Sequence, residues 1–191
     1  MCAVMGINRR RRREQGQALV EFALVLPVFL LVVFSIIQFG MLLGGQDALA
    51  NSVREATRYA ATVPVANTSD AGTCGSGVGS QVYIKLTAAL QQKMPNYIAA
   101  NLVGCGAPAP SSTVSYCIRA NPSTPGSPTY SIWVQVTAVY GHPLFTPLVG
   151  SILDPLDGVA DGRLRATASE QMRVETFNLS GPYLGGFPAC T

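Results

Sequence analysis

Charge is scarce in this chain. Only 12% of its 191 residues are Asp, Glu, Lys or Arg, about half the share usual in a soluble domain. Histidine occurs once, at His142, and tryptophan once, at Trp133. One histidine excludes HExxH and every other two-histidine metal motif. There is no G-x-S-x-G, and no Walker lysine follows the glycine-rich run Gly75–Gly79, which also has no strand before it. The motifs of hydrolases and nucleotide-binding enzymes are thus missing. No CxxC pair occurs, so a zinc site has little to stand on, and Asp154, Asp157 and Asp161 lack the order of an EF-hand loop. The expectation is a protein that is not an enzyme and has no cofactor and no metal.

The most informative absence is local. Between Glu21 and Asp47 there is no charged residue, which leaves 25 neutral positions from Phe22 to Gln46. As an α-helix they reach about 37 Å, enough to cross a hydrocarbon core of about 30 Å. The stretch is read as a membrane span. After Gly44 and Gly45 the pattern turns amphipathic: Leu49, Val53, Ala56 and Ala60 share one face, while Asp47, Arg54, Glu55 and Arg58 lie elsewhere. Pro64 stops it. The spacing predicts one long helix, apolar first and amphipathic second. Pro27 falls inside the span and should bend it, and Gly40 and Gly44 form a GxxxG that admits a second helix.

Charge also orients the chain. Arg9–Arg13 are five arginines in a row directly before the span. The positive-inside rule explains them without a nucleic-acid role and puts the N-terminus in the cytoplasm. Beyond Gln46, eight basic residues balance eight acidic ones, so the remainder lacks the clustered positive field that nucleic acid requires.

Cys2 then lies on the cytoplasmic side, whereas Cys74, Cys105, Cys117 and Cys190 lie beyond the span in an oxidising compartment. Four cysteines allow three pairings. Cys105 with Cys117 is preferred because both flank a short turn-rich segment, which leaves Cys74 with Cys190. Cys74 with Cys105 is disfavoured if a helix of about 30 Å lies between them, since bridged Cα atoms must approach within about 7 Å.

The residues after the long helix read as an α+β head. Residues 64–80 look like a polar glycine-rich loop. Val82, Leu86, Ala89 and Leu90 form one face of a helix over 81–93, and Pro95 starts a shorter one through Leu102. Three alternating strands follow. They are carried by Val114, Tyr116 and Ile118, by Ile132 through Tyr140, and by Leu164 through Val174, with Glu170 an exception on the apolar face that suggests a bulge or an edge. Their apolar faces should pack on the long helix as a small antiparallel sheet. The segment joining the last two strands is rich in Leu, Val, Ile and Phe and suits either core padding or a patch for a membrane or another subunit.

Gly16-Gln17-Ala18-Leu19-Val20-Glu21-Phe22-Ala23-Leu24-Val25-Leu26-Pro27, Gln38-Phe39-Gly40 and Arg54-Glu55-Ala56-Thr57-Arg58-Tyr59-Ala60-Ala61 together resemble TadE-like pilus-assembly proteins. These are pilin-like proteins of the tight-adherence (Flp-type) branch of bacterial type IV pili. Pro143–Glu175 is similar to the same family in layout.

The resemblance implies a pilin-like fold and a single-pass protein of the bacterial cell membrane, a minor pilin or pseudopilin. It also implies four segments. Residues 1–16 are a basic cytoplasmic leader, 17–46 the transmembrane helix, 47–63 its amphipathic continuation and 64–191 an extracytoplasmic head. Prepilin peptidase would cut between Gly16 and Gln17, and Glu21 would pair with the freed amine of a neighbouring subunit. Partners would be the membrane, other pilin or pseudopilin subunits and the assembly machinery.

One alternative stays open. Ala48-Leu49-Ala50 has the small-x-small form of a signal-peptidase site, and a cut after Ala50 would release a secreted, disulfide-stapled binding domain. The neutral stretch is longer than a signal peptide's apolar region, and the amphipathic pattern runs through that cut, so the first cut fits better.

Overall fold

The computed structural model describes residues 5–65, 68–93, 101–107, 110–121, 129–145, 150, 158, 161–179 and 186–190. Helix α1 (Met5–Thr62) comes first, then the single turn α2 (Thr68–Ala71) and helix α3 (Gly77–Lys93). Strands β1 (Thr113–Asn121), β2 (Thr129–Pro143) and β3 (Arg163–Leu179) follow. The strands form one antiparallel sheet in the order β1-β2-β3. The chain is therefore α+β, a long apolar N-terminal helix packed on a small three-stranded sheet, as its patterning indicates.

Helix α1 runs 58 residues and passes through Pro27 unbroken. Its second half buries Leu49, Val53, Ala56 and Ala60, the expected stripe. Alanine at 56 and 60 lets the helix backbone approach the sheet closely. Ser52 and Thr57 are buried beside them, and each hydroxyl donates to the carbonyl four residues back, Ala48 and Val53, at 2.8 and 2.7 Å. That removes the cost of burying an unpaired hydroxyl. From the sheet, Val114, Tyr116, Ile118, Ile132, Val134, Val136, Ala138, Tyr140, Ala166 and Val174 close the core. Helix α3 covers it from the side with Val82, Leu86, Ala89 and Leu90.

Contacts along α1 give the sheet's direction. Arg54 Nε meets Glu170 Oε2 at 3.6 Å, and Glu170 is registered with Val136. Further along, Tyr59 packs against the core that includes Tyr116, which is registered with Val134. Past the helix end, Thr68 lies under Gly186, and the following Pro188 accepts from the Ile118 amide, opposite Ile132. From Arg54 to Thr68 the contacts thus pass from β3 to the β1 edge, so α1 crosses the sheet. The pair at Arg54 also explains Glu170: it lies on the edge strand and turns inward to meet a cation. Both side chains are partly exposed, so the pair fixes register more than it adds stability. The bulge lies elsewhere, where the partners of Ser131 and Trp133 jump from Asn178 to Arg173.

Two expectations are corrected. The glycine-rich stretch is not one loop, because α3 begins at Gly77. Gly72 and Gly77 have positive φ, and a Cβ on Gly79 would collide with the backbone of Thr73, so these glycines build a tight turn between α2 and α3.

The disulfide pairing is also different. Cys74 pairs with Cys105 and Cys117 with Cys190, at Cα separations of 6.0 and 4.9 Å. A helix of about 30 Å between Cys74 and Cys105 would have kept them apart. The helix instead ends at Lys93, and by Leu102 the chain is bridged to Tyr140 on the sheet, which returns Cys105 to the start of α3. Cys117 points to the sheet edge, where the C-terminal tail lies against Ile118. Most of the expected helix from Pro95 to Leu102, and most of the apolar segment between β2 and β3, lie outside the described residues.

Candidate functional site

Gly16, Gln17 and Glu21 lie on the N-terminal half of α1, and the described side chains of that half stand clear of the head. Leu19, Val20, Phe22, Leu24, Val25, Val28 and Phe29 are exposed, as are most of their successors to Ile37. Nothing among the described residues covers the most apolar stretch of the helix, which is long and apolar enough to cross a membrane. The first buried position is Gln38, 3% exposed, followed by Leu42 and Gly45 on the same face. The head therefore begins inside the neutral stretch rather than after it. Ala18–Ile37, the bare part, measures about 30 Å as a helix, the thickness of a hydrocarbon core.

Glu21 is exposed near the start of the bare part and accepts from Gln17 Nε2 at 3.2 Å. Gly16 and Gln17, the expected cut, lie within α1. Gly40 points away from the head, with no atom within 4 Å of where a Cβ would stand. Gly44, one turn on, is half-buried. The four candidate cysteines are all on the head, away from Glu21, and all in disulfides, which leaves none of them as a nucleophile.

Chemistry elsewhere is sparse. Among the described residues no three His, Cys, Asp or Glu side chains gather in a metal-binding group. Asp154 and Asp157 lie outside the described residues, and Asp161 pairs with Arg165 at 2.7 Å. Tyr116 lines a pocket of about 380 Å³ with Thr68, Ser76 and Phe187. Burial, with Tyr59 next in effect, pushes its phenol up to about 12, so it stays neutral and inert.

His142 is fully buried at the end of β2, its Nδ1 3.1 Å from the Tyr140 hydroxyl. Burial disfavours the imidazolium and holds its pKa below the usual 6.5. The unfolded chain then binds a proton that the folded chain refuses as pH falls below about 6.5, and stability drops across that window. His142→Gln should lose part of this acid sensitivity. Denaturation midpoints between pH 7 and 5 would show a shallower fall than in the parent protein, and an unchanged slope would place the sensitivity in other groups.

A family model described as "TadE-like protein" matches residues 16–58. Residues 16–58 are TadE-like. The match takes in the bare helix, Glu21, both candidate glycines and the amphipathic half as far as Arg58. It stops short of the sheet. No curated protein and no solved structure matches the chain. The TadE-like segment therefore covers the bare apolar helix and its first turns under the head, and the single apolar helix suggests membrane anchoring.

Sequence patterning did not reveal the burial of Gln38 and Leu42, the Arg54–Glu170 contact, or the Tyr140–His142 pair. The first had no signal in the helix itself, because a polar glutamine inside an apolar run reads as one more neutral residue. The other two had weak ones: an acid on an apolar strand face, and a lone histidine two residues from a tyrosine.

Proposed function

We propose that this protein is a membrane-anchored minor pilin or pseudopilin that takes part in assembling a tight-adherence (Flp-type IV) pilus. The observation that carries this reading is the coincidence of the TadE-like match at residues 16–58 with a helix bare over a bilayer's thickness. The TadE-like match supports involvement in pilus assembly. The finer role rests on Glu21, which stands on the bare helix where a neighbouring molecule can reach it and the head cannot.

The N-terminus is cytoplasmic and the head extracytoplasmic, since Arg9–Arg13 hold the leader inside. Prepilin peptidase cuts between Gly16 and Gln17. Other subunits approach the helix along the open face at Gly40. The role is structural rather than enzymatic, with the membrane, other pilin subunits and the assembly machinery as partners. A cut after Ala50 is disfavoured physically, because it would strip Ala48 and Leu49 from the head's core.

Sequencing the mature N-terminus tests the proposal. Gln17 is the expected first residue. Asn51 would mean a released head and overturn the anchored role, and an intact Met1 would remove the processing step and the freed amine with it.

A further inference from the structure

Two cavities of the head adjoin at the turn between α2 and α3 and share Thr73 in their walls. The first, of about 380 Å³, lies between α2 and β1, with Tyr116 and Phe187 as its aromatic surface. The second, of about 540 Å³, is lined by β1 at Val114 and Ser115 and by the disulfide between Cys74 and Cys105. Both volumes fall in the range of small-molecule sites.

Their position is set by the helices. Tyr59, three residues before the end of α1, bonds Gln81 of α3 at 3.1 Å. The turn that precedes α3 therefore sits by the end of α1 that is opposite the bare half. That turn is held firmly: Gly72 and Gly77 take φ of 59° and 60°, and the disulfide ties it to Cys105. Walls fixed in this way lose little freedom when a ligand enters.

The polar side chains of the walls are hydroxyls. Thr68, Ser69, Thr73 and Ser76 line the first cavity, and Ser111 and Ser115 the second. No charged side chain stands among the described residues that line either. The hydroxyls are available. Those of Thr68 and Ser69 have no partner among the described residues. Those of Thr73 and Ser76 accept from the Gly75 and Thr73 amides, each at 3.4 Å, and keep their protons to donate. The Tyr116 hydroxyl is buried with no partner among the described residues.

A hydroxyl rotates to donate or to accept as its neighbour requires. Walls of hydroxyls therefore match a ligand whose polar groups are hydroxyls too, whereas an ion would be buried there without a counter-charge. The rings of Tyr116 and Phe187 offer the apolar surface that the C–H face of a sugar ring needs.

We propose that the two cavities together bind an uncharged glycan, with one sugar ring against Phe187 and the next beside the Cys74–Cys105 disulfide. This rests on the head alone and is independent of anchoring and of pilus assembly.

Saturation-transfer NMR on the full chain tests it, in amine-oxide micelles free of glycoside detergents. The probes are maltose, lactose and chitobiose, with glucose, galactose and N-acetylglucosamine as their single rings and glucuronate as a charged ring. At least one disaccharide should take up saturation through its ring C–H protons, with Kd in the millimolar range or below. Its single ring should bind at least tenfold more weakly, and glucuronate not at all.

Ser69→Trp fills the first cavity from an exposed position, and Ser115→Trp does so in the second. Each should weaken the disaccharide at least tenfold. Thr68→Val, which keeps the shape and loses the hydroxyl, should weaken it severalfold, and Thr167→Val, exposed on β3, should leave it unchanged. Intact disulfides in each variant show that the head has folded. No saturation of any sugar, or binding that survives both tryptophan variants, would overturn the proposal. Glucuronate bound as well as the neutral sugars would overturn the uncharged class, and single rings bound as tightly as disaccharides would overturn the use of both cavities.

Discussion

Glu21→Ala should abolish incorporation into pili while leaving expression, leader cleavage and both disulfides intact. Glu21 lies 17 positions before Gln38, where the head's core begins, a distance of about 26 Å along the helix. Nothing described in the head depends on it. Its hydrogen-bond partner among the described residues is the Gln17 side chain at 3.2 Å. After a cut at Gly16, Gln17 also carries a free amine one turn away.

In a single anchored subunit both groups can reach water at the membrane edge. When helices gather, both enter a drier medium, where an unpaired carboxylate costs several kcal/mol. Pairing with a neighbour's amine removes that cost only in the assembly. Losing the carboxylate strands the amine instead, and a loss of about 3 kcal/mol per contact is already more than a hundredfold in association. Glu21→Asp, shorter by one methylene, should be partly defective. Immunoblots of sheared pili against membrane fractions give the readout, and wild-type incorporation of Glu21→Ala would reduce Glu21 to an ordinary interfacial acid.

The second large effect belongs to the head. Cys117 and Cys190 are 73 positions apart, and closing a loop of that size is worth about 4 kcal/mol through the unfolded state. The bridge also holds the tail on the outer edge of β1, where Ile118 donates to Pro188 at 2.8 Å and accepts from Cys190 at 3.0 Å. Cys190→Ser should therefore cost roughly 4 kcal/mol, a large part of the 5–15 kcal/mol that stabilises a typical domain. It should also bare an edge strand that promotes aggregation. Cys74→Ser opens a shorter loop, of separation 31, and should cost somewhat less. Denaturant titration in detergent micelles measures both, with non-reducing peptide maps as control. A map joining Cys105 to Cys117, or a change below about 1 kcal/mol for Cys190→Ser, would contradict the structure.

Much of the fold was legible because the physics that writes it is periodic and local. Twenty-five neutral positions announce a long apolar helix whatever surrounds them, and Val134, Val136 and Ala138 announce a half-buried strand by alternation alone. The disulfides were not legible. Their pairing depends on where α3 ends and how the chain returns by Leu102, and no local pattern encodes either. Gln38 illustrates the same limit at the candidate site. It is buried by residues distant in sequence, and no pattern within the helix marks it. Glu21 stood out at once, since a carboxylate at the head of an apolar run needs an explanation from either water or a partner.

Helix α1 joins the bare apolar part and the head without a break from Gln38 to Thr62, and it shares the head's core from Ala48 to Ala60. The two parts therefore behave mechanically as a single lever. A tilt of about 20°, ordinary for a spanning helix, displaces the top of the head at Thr62 sideways by about 12 Å relative to the membrane surface. Any force that draws the helix out of the bilayer is delivered to the head undiminished, and any obstacle met by the head is felt by the span. Compliance is left to the bare segment below Gln38, where Pro27 removes a backbone hydrogen bond.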